Sequence, residues 1–283
     1  MSVLIIDFSQ VVIGGLQSSL AGNRIGVIDK DLCRHLVLNS IRAPVFKFKK
    51  DYSKVIIACD SRHYWRKDHF PFYKAGRKKS RDKSTLDWNL IFEVMTEVKS
   101  EIKEFFPYKV IEVDKAEADD VIGTLVPRLA AHEPVLIISS DADFKQLHQY
   151  GNVKQYSSML GVYVKSPNPQ LELKEKIIRG DSGDGICNIL SPANSLVEGI
   201  RQKSISKGIL EKYLSLDFNN PDIEHYDNIQ RNKLLIDLTM TPREIKDAIV
   251  EEYDLPQGGS KQLMMKYFIE KRLSMLLGCI DEF

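Results

Sequence analysis

The chain lacks several features that would assign it elsewhere: a C-x-x-C pair, an apolar run long enough to cross a membrane, an internal repeat and a low-complexity tract. Its four cysteines, Cys33, Cys59, Cys187 and Cys279, are scattered. That scatter argues against zinc and disulfides and fits free thiols in a reducing compartment. The apolar stretch from Val3 to Ile6 has no basic leader and meets Asp7 before a signal-peptide core could form. A soluble cytoplasmic protein with no membrane partner is the expectation. None of the six histidines lies in an acidic block, which argues against an imidazole base. Net charge is nearly absent too, at Lys+Arg 40 against Asp+Glu 39.

That balance conceals a sorting. Between Arg42 and Lys83 stand fourteen Lys or Arg and four Asp, whereas Asp114 to Asp143 carries seven acids opposed only by Lys115 and Arg128. A solvated face would account for either run alone. Together they suit a protein that handles phosphodiesters, which must hold polyanion with one part and metal with another.

Four apolar runs each stop on an aspartate: Val3 to Ile6 on Asp7, Val55 to Cys59 on Asp60, Val110 to Val113 on Asp114, and Val135 to Ser140 on Asp141. Short runs rich in Val and Ile, separated by helix-like stretches, read as buried parallel strands. The carboxyl ends of such strands share one sheet edge, where open α/β sheets bind their ligands. Carboxylates crowded there repel one another unless they share a cation, so the pattern predicts a divalent-metal site.

At 283 residues the chain suits one large domain or two modest ones, and a loose boundary falls near residue 170. Asp31 reads as the N-cap of a helix that Pro44 kinks or ends. The stretch from Ser61 to Lys83, basic and aromatic by turns and without apolar periodicity, reads as a long functional loop. Leu90, Ile91, Val94, Met95, Val98, Ile102 and Phe105 fall at helical spacing and mark an amphipathic core helix ending near Pro107. Another helix starts near Glu117, with a kink expected at Pro127. Residues 153–165 alternate weakly and suit an edge hairpin, and from Leu171 onward the chain looks helical and polar.

The sharpest chemical cluster is Glu117-Ala118-Asp119-Asp120 with Asp141-Ala142-Asp143. Two hard cations roughly 3.5 to 4 Å apart can activate water and stabilise the leaving oxygen of an in-line phosphoryl displacement. Such ions take carboxylate and water oxygens. Complementing the positive end of a helix would explain one or two of these acids but not the others at strand ends. Asp181 and Asp184, in Arg179-Gly180-Asp181-Ser182-Gly183-Asp184, either join the site or merely form a turn.

Six spaced blocks resemble the structure-specific 5′ nucleases, or flap endonucleases, of the phage type. They are Leu4-Ile5-Ile6-Asp7-Phe8-Ser9-Gln10, Arg34-His35-Leu36 with Leu38-Asn39-Ser40-Ile41, Tyr64-Trp65-Arg66 with Tyr73-Lys74, Asp114-Lys115 with Glu117-Ala118-Asp119-Asp120, Ile137-Ile138-Ser139-Ser140-Asp141 with Asp143-Phe144, and the terminal Glu282-Phe283. The resemblance covers nearly the whole chain. It implies a PIN-like or Rossmann-like α/β fold with a mostly parallel sheet in residues 1–170, flanked by helices and carrying a basic arch or clamp over about 61–90. A helical duplex-binding region with a divergent helix-hairpin-helix follows in 171–283.

The same resemblance implies metal ligation by Asp7, Asp60, Glu117, Asp119, Asp120, Asp141, Asp143, Asp181 and Asp184. The ions would be two Mg2+, with Mn2+ able to substitute. Asp114 matches no ligand of the family and reads as a helix-start residue. Tyr73 is expected to stack on a base near the scissile phosphate, with Lys74 and Arg77 stabilising its charge. Arg62, Arg66, Lys67, Lys78, Lys79 and Arg81 are expected on the nucleic-acid backbone, and Ser204, Ser206 and Lys207 at a phosphate facing a helix start. The chain departs from the family after Asp184, where Gly185 replaces the usual Asn and no G-x-G hairpin follows. A monovalent-ion site there stays open.

The expected activity is a magnesium-dependent 5′ to 3′ exonuclease or flap endonuclease acting as a monomer on RNA·DNA and DNA duplexes and forks. The setting implied is phage replication in the host cytoplasm. A replication single-strand-binding protein fits as a partner, and a sliding clamp is left open. Two alternatives differ in class. A DxD-type phosphatase places paired aspartates after its first strand, where this chain has Asp7-Phe8-Ser9 and no second acid. A non-catalytic fork binder would be expected to have lost ligands, yet every family position is filled.

Overall fold

The structure, a computed structural model, describes residues 2–20, 29–84 and 86–283. Strands and helices alternate through the first part of the chain: β1 (Val3–Asp7), α1 (Phe8–Leu20), α2 (Lys30–Phe48), β2 (Lys54–Ala58), α3 (Trp65–His69), α4 (Gly76–Asp82), α5 (Trp88–Phe105), β3 (Lys109–Ile111), α6 (Ala118–Ala130) and β4 (Val135–Ile138). Then come β5 (Val153–Ser157) and β6 (Val162–Val164). Helices follow: α7 (Pro169–Arg179), α8 (Ser195–Glu198), α9 (Lys207–Leu214), α10 (Tyr226–Ile236), α11 (Arg243–Asp254), α12 (Lys261–Glu270) and α13 (Ser274–Leu277).

The sheet runs in the order β3-β2-β1-β4-β5-β6, with every pair parallel except the β5–β6 edge hairpin. All of β1 and β4 is buried, as expected of strands covered on both faces. Successive residues serve opposite faces. Leu4, Ile6, Ile57, Leu136 and Ile138 pack beneath α2 and α5, while Val3, Ile5, Ile56, Val135 and Ile137 pack beneath α6. Truncating one of them, Leu136→Ala for instance, removes contacts on a fully buried face and costs about 2–5 kcal/mol.

Four local expectations need correction. The N-cap of α2 is Asp29, whose carboxylate accepts from the Leu32 N–H at 2.8 Å, and Asp31 sits in the first turn. Pro44 does not end that helix, because burial of Val45 and Phe48 in the core continues it to Phe48. The segment 61–83 is not a structureless loop: it holds α3 and α4, and Trp65, Phe70 and Tyr73 anchor it in two apolar clusters. Asp114 is exposed in a turn, and the helix after β3 is instead capped at Glu117.

Residues beyond 170 contribute to all three apolar clusters. Met264, Tyr267 and Phe268 of α12 join the face under α2 and α5, and Ile245 and Ile249 of α11 join the face under α6. Ile177, Ile178 and Ile236 enclose Phe70 and Tyr73 in the third. Polar ties reinforce this, since the Gln146 amide donates to Ile236 O at 3.1 Å and accepts from Leu238 N at 3.0 Å.

Candidate active site

Parallel register brings the ends of β1, β2 and β4 to one rim, and the acids follow. Asp7 is the last residue of β1 and is 5% exposed; it accepts from the Gln10 N–H at 3.2 Å and the Ser139 hydroxyl at 2.9 Å. The same hydroxyl accepts from Asp141 N–H at 3.1 Å, so one serine spaces two acids from adjacent strands. Asp60 accepts from the Ala118 N–H at 2.9 Å, which ties the end of β2 to the start of α6. Two glutamines hold the loop after β4. Gln155 donates to Ser139 O at 2.9 Å and Asp141 O at 2.7 Å, and Gln10 accepts from Ser140 N–H at 3.0 Å.

This crowding shows in the proton affinities. Burial, then Asp60 and Asp141, push the Asp7 carboxyl up to about 7. Burial, then Asp141, lift Asp119 well above the carboxylate range despite the opposing Lys74. A group in that condition binds protons or a cation.

A second cluster lies beside the first. Asp143, Asp181 and Asp184 bring one oxygen each within 4.8 Å of one another. Burial raises Asp143 to about 6 against the lowering effect of Lys176. The turn that delivers Asp181 and Asp184 depends on two glycines in the left-handed region, Gly180 (φ 70°) and Gly185 (φ 77°). A Cβ on Gly185 would stand 2.6 Å from Phe72 O. That close approach explains why Gly stands where the resemblance leads one to expect Asn. It also lets Lys74 N–H donate to Asp184 O at 2.8 Å.

Two of the expected ligands are otherwise engaged. Asp120 is fully buried, accepting from Trp65 Nε1 at 3.1 Å, Arg66 Nη1 and Glu117 N–H at 2.9 Å, and the Thr241 hydroxyl at 2.7 Å. With four donors on it and no exposure, it anchors the fold. Glu117 is 1% exposed, with its oxygens taken by Arg66, Tyr73 and Lys74.

The basic segment divides in the same way. Arg66 is 1% exposed, paired with Glu117 and Asp120 and donating to Leu235 O at 2.9 Å, so it cannot meet nucleic acid as expected. Tyr73 is 2% exposed, and its ring has no free face for a base. Its hydroxyl instead donates toward Glu117 at 3.0 Å and Asp184 at 3.2 Å. Lys74, in the left-handed region at φ 56°, sets its ammonium on Glu117 and 3.8 Å from Asp184. Arg77 pairs with Asp184 at 2.6 Å. Tyr73, Lys74 and Arg77 therefore bridge the acids of α6 and of the Gly180 turn.

Arg62, Tyr64, Lys67, Lys74, Arg77 and Arg81 line one side of a cavity of about 600 Å3 that opens beside Asp60. Phe92 of α5 faces them, with the Arg81 guanidinium 5.5 Å from its ring. Lys78 and Lys79 are exposed on α4, Ser204 is exposed, and Lys207 is the exposed first residue of α9, capped by Ser206. Sequence reasoning missed Ser139, Gln155, Phe92 and Lys176. Two carried a signal: Ser139 stands in the block that ends on Asp141, and Gln155 is a polar residue at an inward position of an alternating strand.

A mostly parallel sheet with acids along one rim and a cationic cavity beside them defines a nuclease-type α/β protein. The comparisons are specific: residues 34–176 match the model of the 5′-3′ exonuclease N-terminal resolvase-like domain, and residues 167–283 match that of the T4 RNase H C-terminal region. The chain belongs to the 5′-3′ exonuclease family. It is 35% identical to the ribonuclease H of Enterobacteria phage T4 over 295 residues, covering 99% of this chain and 95% of that protein. It is also 33% identical to a 5′-3′ exonuclease of Buchnera aphidicola over 105 residues, 36% of this chain and 34% of the relative.

Solved structures agree in fold. A phage T5 5′-exonuclease with bound zinc superposes with a TM-score of 0.62 at 15% identity, covering 90% of this chain and 99% of the other. The phage T5 flap endonuclease in a pseudo-enzyme-product complex with DNA and metal ions gives a TM-score of 0.60 at 18% identity, covering 90% and 100%. Among the described residues no helix is long and apolar enough to cross a membrane, and all four cysteines are unpaired.

Proposed function

We propose that the chain is a magnesium-dependent 5′ nuclease that hydrolyses RNA·DNA and DNA duplexes from the 5′ end and trims flaps or forks. One observation carries the reading: acids from three strand ends and the start of α6 converge beside a cavity walled by Arg62, Lys67, Lys74 and Arg77. The donor set is all carboxylate oxygen, and Asp7, Asp119 and Asp143 hold protons more strongly than usual, which fits hard divalent cations. Asp7, Asp60, Asp119 and Asp141 would hold one ion, and Asp143, Asp181 and Asp184 a second. Bound there, Mg2+ or Mn2+ supplies water activation and Lewis-acid stabilisation of the leaving oxygen.

The protein's own groups do the rest. Lys74 and Arg77 present cations beside the acids, where phosphate charge grows during displacement. Arg62, Lys67 and Arg81 hold backbone in the cavity, with Tyr64 and Phe92 as aromatic surfaces. Lys78 and Lys79 extend this grip along α4, and Ser204 and Lys207 offer a second contact near the start of α9. Residues 1–170 act as the catalytic part, completed by Asp181 and Asp184, and the rest of 171–283 as the duplex-gripping part. Working as a monomer in a host cytoplasm, with a single-strand-binding protein nearby, suits a relative of a phage enzyme.

A 5′-labelled flap duplex, incubated with and without Mg2+, tests the reading. Short 5′ fragments released only with the ion are expected. A shifted but intact band under both conditions would identify a fork binder instead.

A further inference from the structure

Lys176 belongs to none of the motifs that point to the nuclease. It lies on α7, and its ammonium is inserted into the second acidic cluster, bonded to Asp143 Oδ1 and to Asp181 Oδ2 at 2.8 Å. Asp184 closes the cluster from the far side of the turn. The strand-end acids are held differently: Asp7 and Asp141 take their bonds from backbone N–H groups and the Ser139 hydroxyl. An ammonium donates to up to three oxygens and a hard divalent ion accepts from several, so the two are alternative occupants of one set of lone pairs.

We propose that Lys176 is a displaceable counter-cation: it holds Asp143 and Asp181 together, beside Asp184 with its own partners Arg77 and Lys74, until a divalent ion replaces it, and so sets the metal concentration at which that cluster loads. This rests on the nuclease reading above. The side chain is suited to the exchange, being a point charge on a flexible stem where a guanidinium fork would lock. It also has somewhere to go. A cavity of about 280 Å3 adjoins it, with Asp143, Lys176, Glu172 and Glu175 in its lining beside Lys145 and Arg179, which pair with the two glutamates. The two clusters then load in sequence, with the strand-end group first and the lysine-filled group second.

Isothermal titration of the full metal-free chain with Mn2+ alone tests this. For the parent we expect two classes of site that differ in affinity. Lys176→Met should tighten the weaker class at least tenfold and leave the stronger class unchanged. It should also lower the Tm of the metal-free protein at pH 8, with Mn2+ restoring it. Lys176→Gln, which keeps a hydrogen-bond donor without charge, should tighten the weaker class in the same way and serves if the Met variant folds poorly. Lys176→Arg, which retains the charge, should not tighten it. A weaker class unchanged or weakened in both uncharged variants overturns the role of Lys176 alone. A parent that binds no Mn2+ in either class overturns the metal-dependent nuclease reading and this inference with it.

Discussion

Asp7→Asn should make the metal-free protein more stable at neutral and alkaline pH while removing a ligand from the proposed ion site. The Asp7 carboxyl is buried and pushed from 3.8 up to about 7, first by burial and then by Asp60 and Asp141. In the unfolded chain it titrates near its ordinary value, so between about pH 4 and 7 the native state holds the proton that the unfolded state has lost. Stability therefore falls as pH rises through this window, and above it the folded state bears the full cost of a buried, repelled carboxylate. Three pKa units correspond to about 4 kcal/mol. An amide removes that cost and keeps the Gln10 N–H bond through its oxygen, while its NH2 faces the Ser139 hydroxyl oxygen.

The expected net gain at pH 8 is about 2–4 kcal/mol, on the order of 5 °C in Tm for a chain of this size. Thermal melts in chelator from pH 5 to 8.5 measure it. The parent Tm should rise on acidification, and the variant should respond less, though not flatly, because Asp119 and Asp143 are raised in the same direction. Saturating Mg2+ at pH 8 should stabilise the parent more than the variant. A variant that melts at or below the parent at pH 8 in chelator, with a pH-independent parent, would refute the argument that repulsion among these acids creates the ion site.

Other substitutions separate chemistry, grip and scaffold. Asp143→Asn should leave fork binding near normal in a gel-shift assay and reduce hydrolysis by orders of magnitude; equal activity would count against two ions. Lys74→Ala should slow single-turnover cleavage more than it weakens binding, whereas Lys78→Ala should chiefly lower affinity and its salt slope, and matching behaviour would sink that division. Arg66→Ala should cost about 3–5 kcal/mol in urea unfolding, because Glu117 and Asp120 lose their buried cation. An Arg66→Ala protein of parental stability with a reduced salt slope would return Arg66 to the nucleic-acid surface.

The strands were legible because parallel strands buried on both faces must be apolar throughout, and Val3 to Ile6 and Val135 to Ile138 are. The edge hairpin at 153–164 and the helix from Trp88 to Phe105 were legible by periodicity. The gathering of Asp7, Asp60 and Asp141 followed from topology, since parallel strands deliver their ends to one rim, whereas Asp119, Asp143, Asp181 and Asp184 arrive on other segments. The basic segment was not legible, because its order comes from partners distant in sequence. Trp65 and Arg66 are fixed by Asp120, and Tyr73 by Glu117 and Asp184.

This dependence on distant partners explains why charge type alone misassigned residues on both sides of the site. Asp119 and Asp120 are neighbours of one type, but adjacent positions on a helix point about 100° apart. Asp119 is electrostatically coupled to Asp7 and Asp141, while Asp120 faces inward to Trp65, Arg66 and Thr241. A trace of this was present, since an acid three residues after an N-cap is where a reciprocal cap forms, and Asp120 does accept from Glu117 N–H. Lys176 had no such trace, because a lysine on the polar face of a helix usually points to water. Only the fold shows that α7 carries it into an acidic cluster made by two other segments. The buried Arg66 and the inserted Lys176 thus do related work, neutralising carboxylates that the fold brings together. They differ in reversibility: Arg66 is sealed at 1% exposure, whereas the Lys176 side chain is 23% exposed and adjoins a cavity into which it can withdraw.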